Sequence, residues 1–389
     1  MKDLNTCKRC GSEKLIKCGQ QKNAQKTKWK QTYKCKNCGL KFYGLKEHFI
    51  EYEEEKFEYI SKEIVKRNWG TYDEYQLNEK VLFLQIVKDV LDFFIFEQVN
   101  KKGRPVKNTK DVIFGMLTKT YNVNSSRRTI SDLKLQKQLG NVCEVPCFAT
   151  LMHYFNNPDF KPIFEKMIEI TSLPLKDLEY HFSSDATGFT TSQFGRWKED
   201  KFGEGKEKRL YRKLHAMVGV TSNIITFATI TKQAGEQTSD TSQYPFLLKK
   251  TAINFTVKEV SADMAYLSRK NLELTDSIGA MPLIPFKSNS IARNKGRVWK
   301  EMFHYFKDHK QEFFRKYHNR SNVETTFAMM KQKFGKALFT KNWMAHQNEI
   351  LCKVVCHNIC CLIRAYYCLN LEKPFSTETP KNEIITIKL

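Results

Sequence analysis

The sequence predicts an α/β protein whose main domain is preceded by a helical region and a small cysteine-bearing ribbon, and three observations carry that prediction. Two Cys-x-x-Cys pairs stand near the N-terminus, a stretch of helical periodicity follows, and from about residue 177 short β-like runs alternate with amphipathic helices. Acidic residues recur at the ends of those runs. That is where side chains from neighbouring strands can meet.

Residues 1–48 form the first unit. Cys7-Lys-Arg-Cys10 and Cys35-Lys-Asn-Cys38 are each followed by glycine, Gly11 and Gly39, the residue a tight thiolate-presenting turn favours. Four thiolates at this spacing match one tetrahedral structural zinc site, and Lys14–Lys17, Lys28–Tyr33 and Lys41–Tyr43 read as short strands, so the unit is expected to be a zinc ribbon. The loop Gln20–Lys30, rich in Lys and Gln and holding Trp29, suits contact with a polyanion backbone.

Residues 49–104 change to helical periodicity after the acidic run from Glu51. Val81, Leu82, Leu84, Ile86, Val87, Val90, Leu91, Phe94 and Ile95 are dense enough for a buried helix or a partner interface. Gly103-Arg-Pro105 then punctuates the chain. Residues 105–176 hold at least three helices: Thr109 precedes Lys110–Asn122, Ser125 or Ser126 can cap Arg127–Leu139, and Pro146 precedes a helix with Phe148, Leu151, Met152 and Phe155. The last two resemble a helix-turn-helix, with Arg127 and Arg128 as candidate DNA contacts beside Lys134 and Lys137.

Residues 177–370 form the main domain, and 371–389 a C-terminal tail. Tyr180–Asp185 reads as a strand with Asp185 near its end, and Lys213–Val220 and Ile224–Ile230 continue as an antiparallel meander. Asp240 or Thr241 can cap a helix over Ser242–Lys250. Phe255–Asp263 is a strand that again ends on an acid, and a helix through Leu274 and then the apolar run Ala280–Phe286, read as the next strand, follow. A long helical pattern from Val298 to Lys333 then delivers Glu324. The order strand, strand, strand, helix, strand, helix, strand, helix is that of a ribonuclease-H-like domain. The last helix, Gln347–Leu369, spaces Cys352, Cys356 and Cys360 as a core stripe.

Within that long helical pattern lie Tyr317, Arg320, Glu324 and Lys331. At about 100° per residue their spacing brings all four into an arc of roughly 60° along about 20 Å of helix. An isolated Arg320–Glu324 pair would be a solvated ion pair of little consequence. In the company of Tyr317 and Lys331 it reads as an acid that holds a metal, flanked by groups that hold phosphates.

Composition points to the same partner. With 65 Lys plus Arg against 42 Asp plus Glu, the formal charge of +23 over 389 residues suits a polyanion. Charged residues interrupt the apolar stretches Leu82–Val99 and Leu351–Leu369, and the first residues lack the apolar core of a signal peptide, so no membrane role and an intracellular, cytoplasmic location are expected. The 12 cysteines then read as metal ligands and small core residues rather than a disulfide framework.

With Asp185, Asp263 and Glu324 placed on two strands and a later helix, the chain resembles a DDE transposase. The Tyr317-x2-Arg320-x3-Glu324-x6-Lys331 spacing is similar to the signature of insertion-sequence family four. Ser184-Asp185-Ala-Thr-Gly188, Lys213-Leu-His215, Ala262-Asp263-Met-Ala-Tyr266 with Asn271, and His357-Asn358 are supporting matches. The resemblance implies that the three carboxylates hold two Mg²⁺ or Mn²⁺ ions, with Asp185 bridging them. It implies that Arg320, Lys331 and Tyr317 clamp DNA phosphates, and that Trp299, beside Arg293, Lys295 and Arg297, stacks an extruded base. It further implies a homodimer that pairs two terminal inverted repeats, cuts them and joins their 3′ ends to target double-stranded DNA. The residues leave open a nuclease without strand transfer, or a non-catalytic DNA-binding regulator.

Overall fold

The computed structural model describes residues 7, 9–10, 12–22, 29–43, 68–97, 107–191, 211–232, 238–292, 296–369 and 385–388. The acidic run from Glu51, the Gly103–Pro105 punctuation, the middle of the Gln20–Lys30 loop, Arg293 and Lys295 lie outside them. The chain divides into two compact units, Met1–Val65 and Lys66–Leu389.

The first unit is a three-stranded antiparallel sheet, β1 (Leu15–Lys22), β2 (Trp29–Cys35) and β3 (Lys41–Tyr43), in the order β1-β2-β3. Between β2 and β3 the chain reverses through Gly39, whose φ of 70° lies in the left-handed region open to glycine. Its amide donates to the Cys35 carbonyl at 3.0 Å and closes the turn that presents Cys35 and Cys38.

The second unit opens with α1 (Trp69–Asp92), N-capped by the Asn68 side chain, which accepts from the Thr71 amide. The helix stops before the expected end of its periodicity. Phe94 and Ile95 instead belong to β4 (Phe94–Glu97), which pairs in parallel with β10 (Ile385–Lys388) from the expected tail. Next come α2 (Thr109–Asn122), α3 (Ser126–Gln138), α4 (Phe148–Phe155) and α5 (Phe160–Ser172). The sequence pattern does not separate α5, which presents Phe160, Ile163, Phe164, Met167 and Ile168 to the core.

The central sheet contains β5 (His181–Thr190), β6 (Tyr211–Gly219), β7 (Ile225–Lys232), β8 (Glu259–Ala262) and β9 (Met281–Leu283) in the order β7-β6-β5-β8-β9. β6 pairs antiparallel with both β5 and β7, whereas β8 and β9 join in parallel. This mixed sheet, flanked by helices, is consistent with a ribonuclease-H-like domain. Helix α6 (Asp240–Asn254) lies between β7 and β8, and α7 (Arg269–Ser277) between β8 and β9.

The long helix expected over residues 298–333 is broken. It consists of α8 (Arg297–Asp308), α9 (Lys310–Tyr317), a 3₁₀ turn His318–Arg320 and α10 (Ser321–Phe334). A 3₁₀ turn takes three residues per turn instead of 3.6, so the signature does not lie on one straight stripe. The last helix, α11 (Trp343–Cys368), is long and apolar enough to cross a membrane, yet 78% of its apolar window is buried within the fold. Its Lys353 is satisfied internally, donating to the carbonyls of Gly335 and Ala337 at 2.8 and 3.0 Å.

Alternation along the strands sends the two sheet faces into two cores. Phe189, Leu214, Ala216 and Ile230 join α2, α5 and α11, including Cys352 and Cys356, while Phe182, Met217 and Phe227 join α6 to α9. The expected boundary at residue 176 is therefore not a division, because helices before it share a core with the sheet after it. Asn358 of α11 accepts from the Ile225 amide and donates to its carbonyl, at 3.0 and 2.8 Å, which seals the edge strand β7 against the helices.

Candidate active site

Asp185 is placed by the sheet. It sits in the middle of β5 rather than near its end, but the parallel pairing of β5 with β8 stops at Ser184 and Ala262. Asp185 and Asp263 are thus the first residues beyond that pairing on neighbouring strands, about 4.8 Å apart in backbone spacing. Asp263 accepts from the Met264 amide at 2.6 Å, and Asp185 from the Ala186 amide at 2.8 Å. Asn271 holds the turn after Asp263 by donating to the Tyr266 carbonyl at 2.9 Å and the Thr241 carbonyl at 3.3 Å.

The helical residues arrive from the other side. The 3₁₀ turn swings Arg320 toward the sheet, where one Nη donates to Asp185 at 2.9 Å and the other to Glu324 at 2.8 Å. Asp185 is 19% exposed and Glu324 is 61% exposed, so the first pair is partly desolvated and the second faces water. Burial pushes the Asp185 carboxyl above the usual carboxylate range; the Ala186 amide and Arg320 oppose this, and the charges of Asp263 and Glu324 add to it. Burial also drives the Tyr317 hydroxyl up to about 12. Lys331, about two turns beyond Glu324, donates to Thr187 Oγ1 on the same face of β5 at 2.5 Å, and burial lowers its pKa. Arg320 and Lys331 thus reach β5 directly, Glu324 is tied to Asp185 through Arg320, and Tyr317 and Asp263 lie close enough to feel the same charges.

Lys213 and His215 form a separate cluster that sequence reasoning did not resolve. Lys213 and His215 face Asp240 Oδ1 at 2.7 and 3.2 Å, tying the start of α6 to β6. Asp240 is thus occupied, and Ser239 caps α6 in its place. Trp299 is corrected by the structure. Its indole is buried, donates to the Ile291 carbonyl at 2.9 Å and packs edge-on against Phe286 at 5.0 Å, so the ring fills the core and is not presented to a base. Arg127 and Arg128 are exposed on α3, and the Arg127 guanidinium lies over the Phe148 ring of α4 at 4.5 Å.

In the N-terminal unit, the ligand atoms of Cys7, Cys10, Cys35 and Cys38 lie within 4.8 Å of one another and could hold a metal ion. The Cys7–Cys38 and Cys10–Cys35 sulfur separations are 3.5 and 3.6 Å. Thiolates bound to one tetrahedral zinc at about 2.3 Å would stand about 3.8 Å apart, so the cluster has the required size. The Cys38 amide, with that of Asn37, lowers the Cys35 thiol to about 6, which favours the ligating thiolate.

Residues 177–359, just under half of the chain, match the family model described as the transposase DDE domain. The match spans β5 to α11 and includes all three carboxylates, and it supports a DDE transposase, a family that uses divalent metal ions. No curated protein matches the chain.

Proposed function

We propose that the protein is a transposase of the insertion-sequence family four type, which binds the terminal inverted repeats of its element, nicks them and joins the freed 3′ ends to target DNA. The observation that carries this reading is the meeting of Asp185, Asp263 and Glu324 around Arg320, inside a segment that matches the transposase DDE domain. The donor set is all oxygen, which suits Mg²⁺ or Mn²⁺. The guanidinium between Asp185 and Glu324 marks a space that accepts positive charge.

Asp185, Asp263 and Glu324 would hold the ions. Divalent ions held there would supply charge stabilisation for the attacking and leaving oxygens. The chain's own groups position the DNA. Tyr317, with its hydroxyl at about 12, stays protonated at neutral pH and can donate to a phosphate oxygen. Arg320 can exchange a carboxylate for a phosphate with the same fork geometry, and Lys331 adds a point charge beside Thr187. Arg127 and Arg128 are exposed for backbone contact, and one zinc on the four cysteines would fix the N-terminal ribbon. Pairing of two ends calls for a homodimer on DNA, and the work is assigned to the cytoplasm, at the nucleoid.

The test uses labelled duplexes that carry the inverted repeats flanking the gene. Mg²⁺-dependent nicking followed by joining of the labelled 3′ end supports the transposase. Nicking without joining reduces it to a nuclease, and binding without either reduces it to a regulator.

A further inference from the structure

β5 runs on past the carboxylates; on the Asp185 face its first neighbours on β6, Ala216 and Leu214, are apolar and buried, and the next is basic. Asp185, Thr187 and Phe189 alternate onto one face, Phe189 stands opposite Arg212, and Arg212 opposite Lys232. Lys331 already reaches Thr187 along this row. At about 3.3 Å per residue, Phe189 and Arg212 lie about 13 Å beyond Asp185, the axial rise of about four nucleotides of duplex.

Arg212 is held in place. Its Nε donates to His346 Nδ1 at 3.1 Å, and its guanidinium lies 5.2 Å from the centre of the Trp343 ring. Lys232 Nζ lies 5.6 Å from the same ring. His346 Nε2 faces the Thr340 carbonyl at 3.0 Å and must be the donor there, which leaves Nδ1 as the acceptor for Arg212. Burial lowers the His346 pKa and keeps the ring in that neutral form. Lys213, the next residue along β6, is paired with Asp240, but among the described residues neither Arg212 nor Lys232 lies within ion-pair distance of a carboxylate. Arg212 Nη1 also donates to the Tyr211 carbonyl at 3.4 Å, and Nη2 beside the exposed ammonium of Lys232 can donate to the tetrahedral oxygens of a phosphodiester.

We propose that Arg212 and Lys232, steadied by Trp343 and His346, form a second clamp on the DNA backbone, about four nucleotides from the phosphate held at the carboxylates. The proposal rests on the transposase reading. Phosphate contacts are independent of sequence, so the probe is a nicked DNA duplex of arbitrary sequence, bound by the full chain in Ca²⁺ over a range of salt concentrations. Arg212→Gln and Lys232→Ala should each weaken binding and reduce the slope of log K against log salt by about 1. Lys249→Ala, on the outer helix α6, should leave the slope as it was. Because Lys232 is exposed, Lys232→Ala should retain the wild-type melting temperature, which keeps the test open even if Arg212→Gln unfolds. Unchanged slopes in a folded Lys232→Ala that binds like wild type, or an equal loss in Lys249→Ala, would overturn the clamp and leave the transposase reading standing. Failure of the wild-type chain to bind the duplex would overturn both.

Discussion

Asp185→Asn separates the metal-holding role of this carboxylate from its structural one. In the native carboxylate Oδ1 accepts from the Ala186 amide at 2.8 Å and Oδ2 from Arg320 at 2.9 Å, so the one side-chain oxygen of the introduced asparagine can keep the Ala186 contact while its NH2 faces Arg320. What disappears is one negative charge and one acceptor. Losing the charge-assisted Arg320 contact costs about 1.5–3 kcal/mol. Against this, Asp185 is a partly buried carboxylate whose pKa burial has raised, with Asp263 and Glu324 adding to the penalty, so removing its charge relieves desolvation and repulsion. The two effects oppose each other, and the net destabilisation should be no more than about 2 kcal/mol, so the variant stays folded. Cleavage should fall at least about 10³-fold, equivalent to about 4 kcal/mol of lost transition-state stabilisation. Two assays check the pair of outcomes: nicking of a labelled duplex in Mg²⁺, and thermal melting with and without Mg²⁺. A site that binds Mg²⁺ at 100 times its Kd gains about 2.7 kcal/mol of stability, and the variant should lose most of that increment. Wild-type nicking by the folded variant, or an undiminished Mg²⁺ increment, would refute the assignment of Asp185 as a metal ligand.

Further outcomes follow from the zinc cluster, a buried histidine and the core tryptophan. Elemental analysis should find one zinc per chain, and Cys35→Ser should lose it with unfolding confined to the N-terminal unit; zinc-free protein with an intact ribbon would contradict the ligand set. His357 is buried and faces the Asn223 carbonyl at 2.9 Å, and burial lowers its pKa to about 4. The folded state therefore resists protonation: the stability from this residue is complete above the unfolded pKa of about 6.5 and is lost as pH falls toward 4, by about 3 kcal/mol in all. Urea melts of the wild type and His357→Gln should converge across that window, and parallel curves would show that His357 is not the titrating group. Trp299→Ala should cost about 3–5 kcal/mol and depress the first nick together with the melting temperature, whereas a loss confined to a later strand step would restore a role in stacking.

The parts of the molecule most legible in the sequence are those set by local spacing. The doubled Cys-x-x-Cys pattern carries its turn geometry within four residues, and the strand order of the main domain follows from alternation and length. Elements decided by distant partners were less legible. Phe94 and Ile95 fit the helical period of the residues before them, yet they become a strand because Ile385–Lys388 returns to pair with them. Ser239, Asp240 and Thr241 are all good N-caps, and the choice falls to Ser239 because Asp240 is drawn across to Lys213 and His215. Arg212 and Trp343 meet only when α11 packs beside the sheet, so no spacing rule joins them.

The break in the long helix shows how the two kinds of information combine. Three-, four- and seven-residue steps put Tyr317, Arg320, Glu324 and Lys331 on one helical stripe, and a continuous helix would present them to one groove in a row. The 3₁₀ turn instead gives Arg320 to Asp185 and leaves Glu324 mostly in water. The resulting site holds three carboxylates against one guanidinium and one ammonium, with Tyr317 neutral. Such a set is net negative when all three acids are ionised and repels a phosphate at short range, even in a chain of +23. Divalent ions would reverse that local sign and release Arg320 toward the phosphate, so metal and DNA should each strengthen the binding of the other by the reciprocity of linkage. With DNA as the partner, the basic surface would draw the polyanion in, and the acidic site would select a backbone that arrives with its cations.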